Sequence, residues 1–327
     1  MSTAQVVRRV AVFGGTHGNE MSGVYLVKRW LQNQEAITRP SFLTVPCIAN
    51  PRAVERCRRY IDVNLNRQFT PGTFQYCMDV PSTAPYEVHR AVELNKKFGA
   101  AGEAFDVIID LHNTTSNMGN CLIIGSSTDS FTLQMVRYLV QRSGLVCPVF
   151  LTENPASHVK MADTRSMGVH GIENGHYGPS CLRSVSRHGL CLELGAQPQG
   201  VLLADIFLRH ERLVHTCLDF IHKFNQGELF PKETLEVYRI LHVVDYPRNK
   251  DNDLSAMIHP ELQDKDWHPL QPGDPMFLTL DGETIKYEGD STIYPAFINE
   301  AAYYEKGIAF WATQKETLNV NELQVKN

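Results

Sequence analysis

A histidine and a glutamate stand three residues apart in Gly14-Gly15-Thr16-His17-Gly18-Asn19-Glu20, directly after the short apolar run Val10-Ala11-Val12-Phe13. One neutral imidazole nitrogen and one carboxylate at the mouth of a buried strand make half of a zinc site, because this hard-to-borderline ligation suits Zn2+. The paired glycines let the backbone turn sharply there. A catalytic zinc takes three protein ligands and leaves its fourth position to water, so a remote His or carboxylate at another strand end is needed. His112 meets that need: it closes the apolar stretch 105–112 and opens the polar loop Asn113-Thr114-Thr115-Ser116-Asn117. Active sites of open α/β sheets gather at such carboxyl ends. Taken alone, the first motif reads equally as a Gly-rich turn with a solvated His and Glu; His112 in an equivalent place shifts the reading to a metal. Asp110, two residues earlier, is either the partner of that imidazole's other nitrogen or a capping or turn carboxylate.

Glu193 ends the otherwise apolar run Gly189-Leu190-Cys191-Leu192-Glu193-Leu194-Gly195. A carboxylate among strand residues must be paired, protonated or functional. Near a metal it serves as the base that activates water and returns the proton to a leaving amine; the alternative is a buried salt bridge. Three arginines, Arg58, Arg59 and Arg67, cluster around Tyr60-Ile61-Asp62-Val63-Asn64-Leu65-Asn66. Guanidinium groups grip carboxylates and polarise carbonyl oxygens, so Asn66 with Arg67 reads as a clamp for a substrate carboxylate, or else as a solvated basic loop.

The elements that must position these groups alternate through the first two thirds of the chain. Residues 9–13 read as a strand leading to a helix over 20–32, in which Val24, Val27 and Leu31 share one face and Trp30 and Tyr25 flank it. A strand over 42–49 ends at Asn50-Pro51, since the residue before proline is pushed out of the helical region. A helix over 85–98 stops at Gly99. Strands over 105–112, 120–124, 146–151 and 189–194 follow, with helices over 130–142 and 203–224, the second burying Ile206, Leu213, Cys217, Phe220 and Phe224. The alternation predicts an α/β fold, a mixed sheet flanked by helices. After Asn225-Gln226-Gly227, short alternating stretches such as Leu235, Val237 and Ile240 are broken by turn clusters, with Asp281-Gly282 a hairpin signal. The expected division is a hydrolase domain over 1–224 and a smaller β-rich C-terminal domain over 225–327.

Composition narrows the classes. A chain of 327 residues with net charge −5 and no Lys/Arg-rich block offers no footprint for nucleic acid. Its eight cysteines are scattered, with no C-x-x-C, and no signal-type apolar segment opens the chain, which together predict a reduced, cytoplasmic protein. No apolar run approaches the roughly 18 residues of a membrane span.

Taken together, these residues resemble the aspartoacylase and aminoacylase-3 family, an amidohydrolase branch of the zinc carboxypeptidase-like fold. The landmarks run in order along almost the whole chain: the His17 and Glu20 motif, Asn50-Pro51-Arg52-Ala53, Arg59-Tyr60-Ile61-Asp62, Leu65-Asn66-Arg67, Asp110-Leu111-His112-Asn113-Thr114-Thr115, Glu193-Leu194-Gly195, and Asn299-Glu300-Ala301-Ala302-Tyr303-Tyr304-Glu305-Lys306. The resemblance implies one zinc on His17, Glu20 and His112, with Glu193 as catalytic base. It places Arg59 against the scissile carbonyl, and Asn66, Arg67 and Tyr303 on the substrate's α-carboxylate. The last role requires the second domain to fold over the mouth of the first. It implies a small-molecule N-acyl amino acid as substrate and a homo-oligomer, a dimer or tetramer, as the assembly.

The side-chain pocket is less legible. An Arg-Ser pair ten residues before the catalytic glutamate marks aspartoacylase, and Arg183-Ser184 matches it. Against that, Val243 and Ile308 stand where aspartoacylase has a lysine and a glutamate, which favours the aminoacylase-3 branch and aromatic or S-substituted cysteine (mercapturate) substrates over N-acetyl-L-aspartate. Asn64 replaces an aspartate usual in the family, removing a charge near the clamp. The stretch 163–183 is longer than the family pattern and repeats Thr164-Arg165-Ser166-Met167 as Leu182-Arg183-Ser184-Val185, an inserted surface loop, so Arg165 competes with Arg183 for the substrate. His170, His176 and His188 read as solvated loop residues. The reading from another class is a non-hydrolytic nucleotide-binding protein using the first Gly-rich turn, but neither G-x-G-x-x-G nor G-K-[ST] is present.

Overall fold

The structure, a computed structural model, describes residues 2–75, 79–99, 104–153 and 181–326. In chain order its elements are β1 (Ser2–Ala4), β2 (Arg9–Gly14), α1 (Met21–Gln32), β3 (Leu43–Ile48), α2 (Pro51–Glu55), α3 (Pro71–Phe74), α4 (Tyr86–Phe98), β4 (Val107–Asn113), β5 (Asn120–Ile124), α5 (Ser130–Arg142), β6 (Val149–Leu151), β7 (His188–Leu194) and α6 (Ala204–Asn225). The C-terminal third adds β8 (Glu233–Val244), β9 (Ala256–Ile258), β10 (Pro275–Thr279), β11 (Thr284–Lys286), β12 (Tyr294–Ala296), β13 (Phe310–Val320) and β14 (Leu323–Val325).

Nine strands form one mixed sheet in the order β12-β13-β8-β6-β5-β7-β4-β2-β3. Its centre follows from apolar composition: β4 and β5 are buried along their whole length. Alternation then sorts the side chains by face. Val10, Val12, Val107, Ile109, Leu111, Leu190, Leu192 and Leu194 join one core with α1, α5 and α6. Ala11, Phe13 and Ile108 face the other way, onto Ala91, Leu94 and Phe98 of α4. The even and odd positions of β4 and β7 therefore put Asp110, His112 and Glu193 on the face away from α1, α5 and α6. This is why these three polar residues sit inside otherwise apolar strands.

The helix face of α1 differs from expectation. Val24, Val27 and Trp30 are fully buried, whereas Leu31 is 52 % exposed and Tyr25 43 % exposed. Leu31 lies on the same stripe as Val24 and Val27 at a 3.6-residue period, but in the last turn of α1, where its side chain stays exposed. On α6, Ile206, Leu213, Cys217, Phe220 and Phe224 are all buried as expected. The C-terminal region has a core of its own around Tyr246, Phe277, Ile293 and Phe310. Its Asp281-Gly282 turn joins the antiparallel pair β10 and β11. Two long strands, β8 and β13, extend the main sheet, so the C-terminal region is hydrogen-bonded to β6 through β8. Among the described residues no helix is long and apolar enough to cross a membrane.

Candidate active site

The carboxyl ends of β2, β4 and β7 meet at one place. Parallel pairing sets Gly14 beside Leu111 and His112 beside Glu193, so the loop after β2 and the tips of β4 and β7 lie side by side. The turn after β2 depends on its glycines. Gly15 has φ +70°, and a Cβ on Gly18 would fall 2.1 Å from the carbonyl carbon of Ala53. Glu20 then occupies the N-cap of α1 without using its side chain as a cap. Its carboxylate is free to turn inward.

It turns toward two histidines. His17 Nδ1 lies 2.6 Å from Glu20 Oε1, His112 Nδ1 lies 2.9 Å from Glu20 Oε2, and the two Nδ1 atoms are 3.2 Å apart. All three residues are buried, and among the described residues they are the one His/Cys/Asp/Glu group of metal-holding geometry. The donor set fits a cation: two imidazole nitrogens face each other with a carboxylate between them. Tetrahedral ligands at zinc–nitrogen distances near 2.0 Å would stand about 3.3 Å apart, close to the spacing of the two rings. Each ring is oriented from behind. His112 Nε2 meets Asp110 Oδ2 at 2.8 Å, and Asp110 accepts from Thr16 Oγ1 at 2.8 Å, so Asp110 is a partner of the imidazole rather than a cap. His17 Nε2 meets Asn64 Oδ1 at 3.1 Å.

Electrostatics in this pocket are steep. Burial and the Arg59 charge pull the His17 imidazole down to about 4. Burial would also lower His112, but Asp110 and Glu20 outweigh it and hold that ring well above the ordinary histidine value. Glu193 bonds to none of these groups. Burial drives its carboxyl up to about 8, with Glu20 and Glu300 adding and His112 and Arg59 opposing.

The basic loop wraps the other side. Arg59 donates from Nη1 to Glu20 Oε1 at 3.1 Å, while its buried Nε has no partner among the described residues. Asn66 is buried and its Oδ1 accepts from Leu182 N at 3.0 Å, which leaves its amide NH2 as the donor end. Arg67 is exposed, with Nη1 donating to Asn66 O at 2.9 Å. Arg58 is exposed. Arg183, in a 3-10 turn over Leu182–Val185, reaches Thr152 Oγ1 at 3.5 Å, and Asp110 and Glu193 are among the groups sustaining its charge. Arg165, His170 and His176 lie outside the described residues. His188 is not a solvated loop residue: it opens β7, bonds the Asp129 carboxylate at 2.9 and 3.0 Å, and stacks on Phe131 at 4.4 Å. Its ring completes the anchoring of the carboxylate that caps α5.

Tyr303 arrives from the far end of the chain, in the 3-10 helix Ala301–Lys306. Burial, then the Glu193 charge, raise its hydroxyl above the usual tyrosine range, which puts it in the same electrostatic neighbourhood as Glu193. It is seated by Glu300, whose Oε2 accepts from the Thr114 hydroxyl and from Thr115 N at 2.7 Å. Val243 and Ile308 share one apolar cluster with Tyr303, Trp311 and Phe297.

Three contributors were given no role by the sequence reading. Glu87 is fully buried and accepts from Ile61 N at 2.7 Å and from Asp62 N and Val63 N at 3.1 Å, fixing the loop between Arg59 and Arg67. An acidic residue in a helix's first turn carries no mark of that role. Glu300 was legible only as part of a motif. Lys306 lies over the Tyr303 ring at 5.1 Å, and burial with the Arg67 and Arg59 charges lowers its ammonium to about 8.

Fold and site define an amidohydrolase built on a mixed α/β sheet. Residues 6–221 match the model of the succinylglutamate desuccinylase/aspartoacylase catalytic domain, and residues 233–315 match the AstE/AspA barrel-sandwich hybrid domain. The chain belongs to the succinylglutamate desuccinylase/aspartoacylase family. It is 49 % identical over 327 residues to aspartoacylase of Danio rerio, covering 99 % of this chain and 97 % of that one. It is 50 % identical over 317 residues to the human (Homo sapiens) N-acyl-aromatic-L-amino acid amidohydrolase (carboxylate-forming), covering 96 % and 92 %. The crystal structure of murine aminoacylase 3 superposes with a TM-score of 0.87 at 45 % identity, covering 98 % of this chain and 100 % of that one.

Proposed function

We propose that this enzyme hydrolyses the amide bond of N-acyl, chiefly N-acetyl, L-amino acids with aromatic or S-substituted cysteine side chains, releasing a carboxylate and the free amino acid. Zinc, one ion per chain, would be held by His17, Glu20 and His112; the observation carrying this is the convergence of their donor atoms, with His112 backed by Asp110. When bound, zinc supplies Lewis acidity and makes water nucleophilic near neutral pH. Glu193 takes the proton from the attacking water and returns it to the departing amine. Burial raises its carboxyl in the metal-free site, and a bound cation would lower it again toward the range in which a base takes up and returns a proton. Arg59 offers its unpartnered Nε–H to the oxygen on which charge develops. Asn66, Arg67 and Tyr303 receive the α-carboxylate and so fix the acyl group against Glu193.

The side-chain choice rests on Val243 and Ile308, which add apolar surface beside Tyr303. A second reading, N-acetyl-L-aspartate as substrate, is favoured by Arg183, whose charge faces the Glu193 neighbourhood. A panel of N-acetyl-tyrosine, S-benzyl-N-acetylcysteine, N-acetyl-aspartate, a succinyl-amino acid and short peptides separates them. Preferential turnover of N-acetyl-aspartate would overturn the aromatic assignment, and cleavage of peptides would point to a peptidase. The domain boundary is proposed at 224/225, at the end of α6, with the C-terminal region expected to cover the mouth. Seven free cysteines among the described residues suit a reducing, cytoplasmic setting, and a homo-oligomer is the expected assembly.

A further inference from the structure

The two imidazoles of the candidate centre are backed unequally. Behind His112 stands a carboxylate, Asp110 Oδ2, at 2.8 Å; behind His17 stands a neutral carboxamide, Asn64 Oδ1, at 3.1 Å. Both acceptors are held in place, Asp110 by the Thr16 hydroxyl and Asn64 by the backbone N–H of Asn66 at 3.0 Å, where it caps the 3-10 helix Leu65–Arg67. In each ring the acceptor draws the proton to Nε2 and leaves the lone pair on Nδ1, the atom that points into the cluster. Here the similarity ends. An acceptor makes the opposite ring nitrogen more basic and strengthens its bond to a metal, and an anionic carboxylate does so more than a neutral amide oxygen.

We propose that Asn64 is a positioning residue for the metal, and that its neutral amide makes His17 the weaker imidazole ligand and sets zinc affinity below what this scaffold allows. The inference rests on the reading that His17, Glu20 and His112 hold zinc. Position 64 is suited to the test because Asn64→Asp keeps both an oxygen acceptor for His17 and a cap for Asn66 N, changing charge at nearly constant shape.

The experiment is competition for zinc between the metal-stripped full-length chain and a chromophoric chelator at one pH. For Asn64→Asp the dissociation constant should fall about tenfold, and for Asn64→Ala it should rise about tenfold or more, the range typical of groups behind a ligating histidine. A second readout is the proton resonance of His17 Nε2–H, which moves downfield when its acceptor becomes a carboxylate; a merely structural change would not produce that shift. Dissociation constants within twofold of wild type for both variants, or weaker binding by Asn64→Asp, would overturn the role of Asn64. Failure of the wild-type chain to take up zinc would instead overturn the metal reading on which it rests.

Discussion

On the proposed mechanism, removing Glu193 separates chemistry from metal binding. It pairs in register with His112 yet makes no hydrogen bond to any of the three candidate ligands, so Glu193→Gln should lower kcat by at least about a hundredfold while zinc content stays at the wild-type level. Kinetics and metal analysis on one preparation check this; loss of zinc with activity would mean that Glu193 is a ligand. Arg183→Ala should move side-chain preference more than kcat, and equal loss on every substrate would make the arginine part of the general machinery. The chemistry-bearing types were legible because each sits where folding alone would not choose it, a His or Glu ending an apolar strand. Asn64 and Glu87 were not legible as partners because contacts with His17 and with Ile61–Val63 amides are made across 47 and 24 to 26 residues of chain.

At the scale of elements, the loop between Arg59 and Arg67 is held by α4. Glu87 gathers three successive backbone N–H groups and the Asn50 amide at 3.1 Å, and leaving such donors unmatched in a buried place costs on the order of 1–3 kcal/mol. Glu87→Gln should therefore lower the melting temperature and raise KM for the carboxylate substrate, because Arg59, Asn66 and Arg67 lose their fixed spacing. An unchanged KM in a destabilised protein would confine Glu87 to stability. Helix α6 carries a separate pH signature. His210 is fully buried, bonds Leu192 O at 3.2 Å and the Ser22 hydroxyl at 2.7 Å, and burial lowers its imidazole from 6.5 to about 4. A neutral folded histidine and a protonated unfolded one mean that its stabilisation is present above pH 6.5 and is lost as pH falls from 6.5 toward 4. His210→Gln should flatten the stability profile in that window, read by denaturant melts; a parallel acid limb would assign the loss elsewhere. Strands and helices were legible to within a few residues from periodicity, as for α5 at 130–142. The exposed side of α1 was not, since Leu31 is apolar and only packing decides where it points.

For the whole molecule, the last quarter of the chain reaches back to the loop after His112. Glu300 accepts from Thr115 N and the Thr114 hydroxyl, just beyond His112, and three residues later Tyr303 enters the site. Glu300→Gln should raise KM and lower the melting temperature together, with zinc retained. That long-range seating could be read from a motif but not from local pattern, because a tyrosine in a β-rich region looks like core. The account as a whole rests on a divalent ion at His17, Glu20 and His112 acting on an amide. The direct measurement is zinc content and N-acetyl-tyrosine hydrolysis followed on one sample through chelation and titration with zinc. One zinc per chain, activity lost with its removal and restored by one equivalent is the predicted result. Full turnover by the metal-stripped enzyme would contradict it.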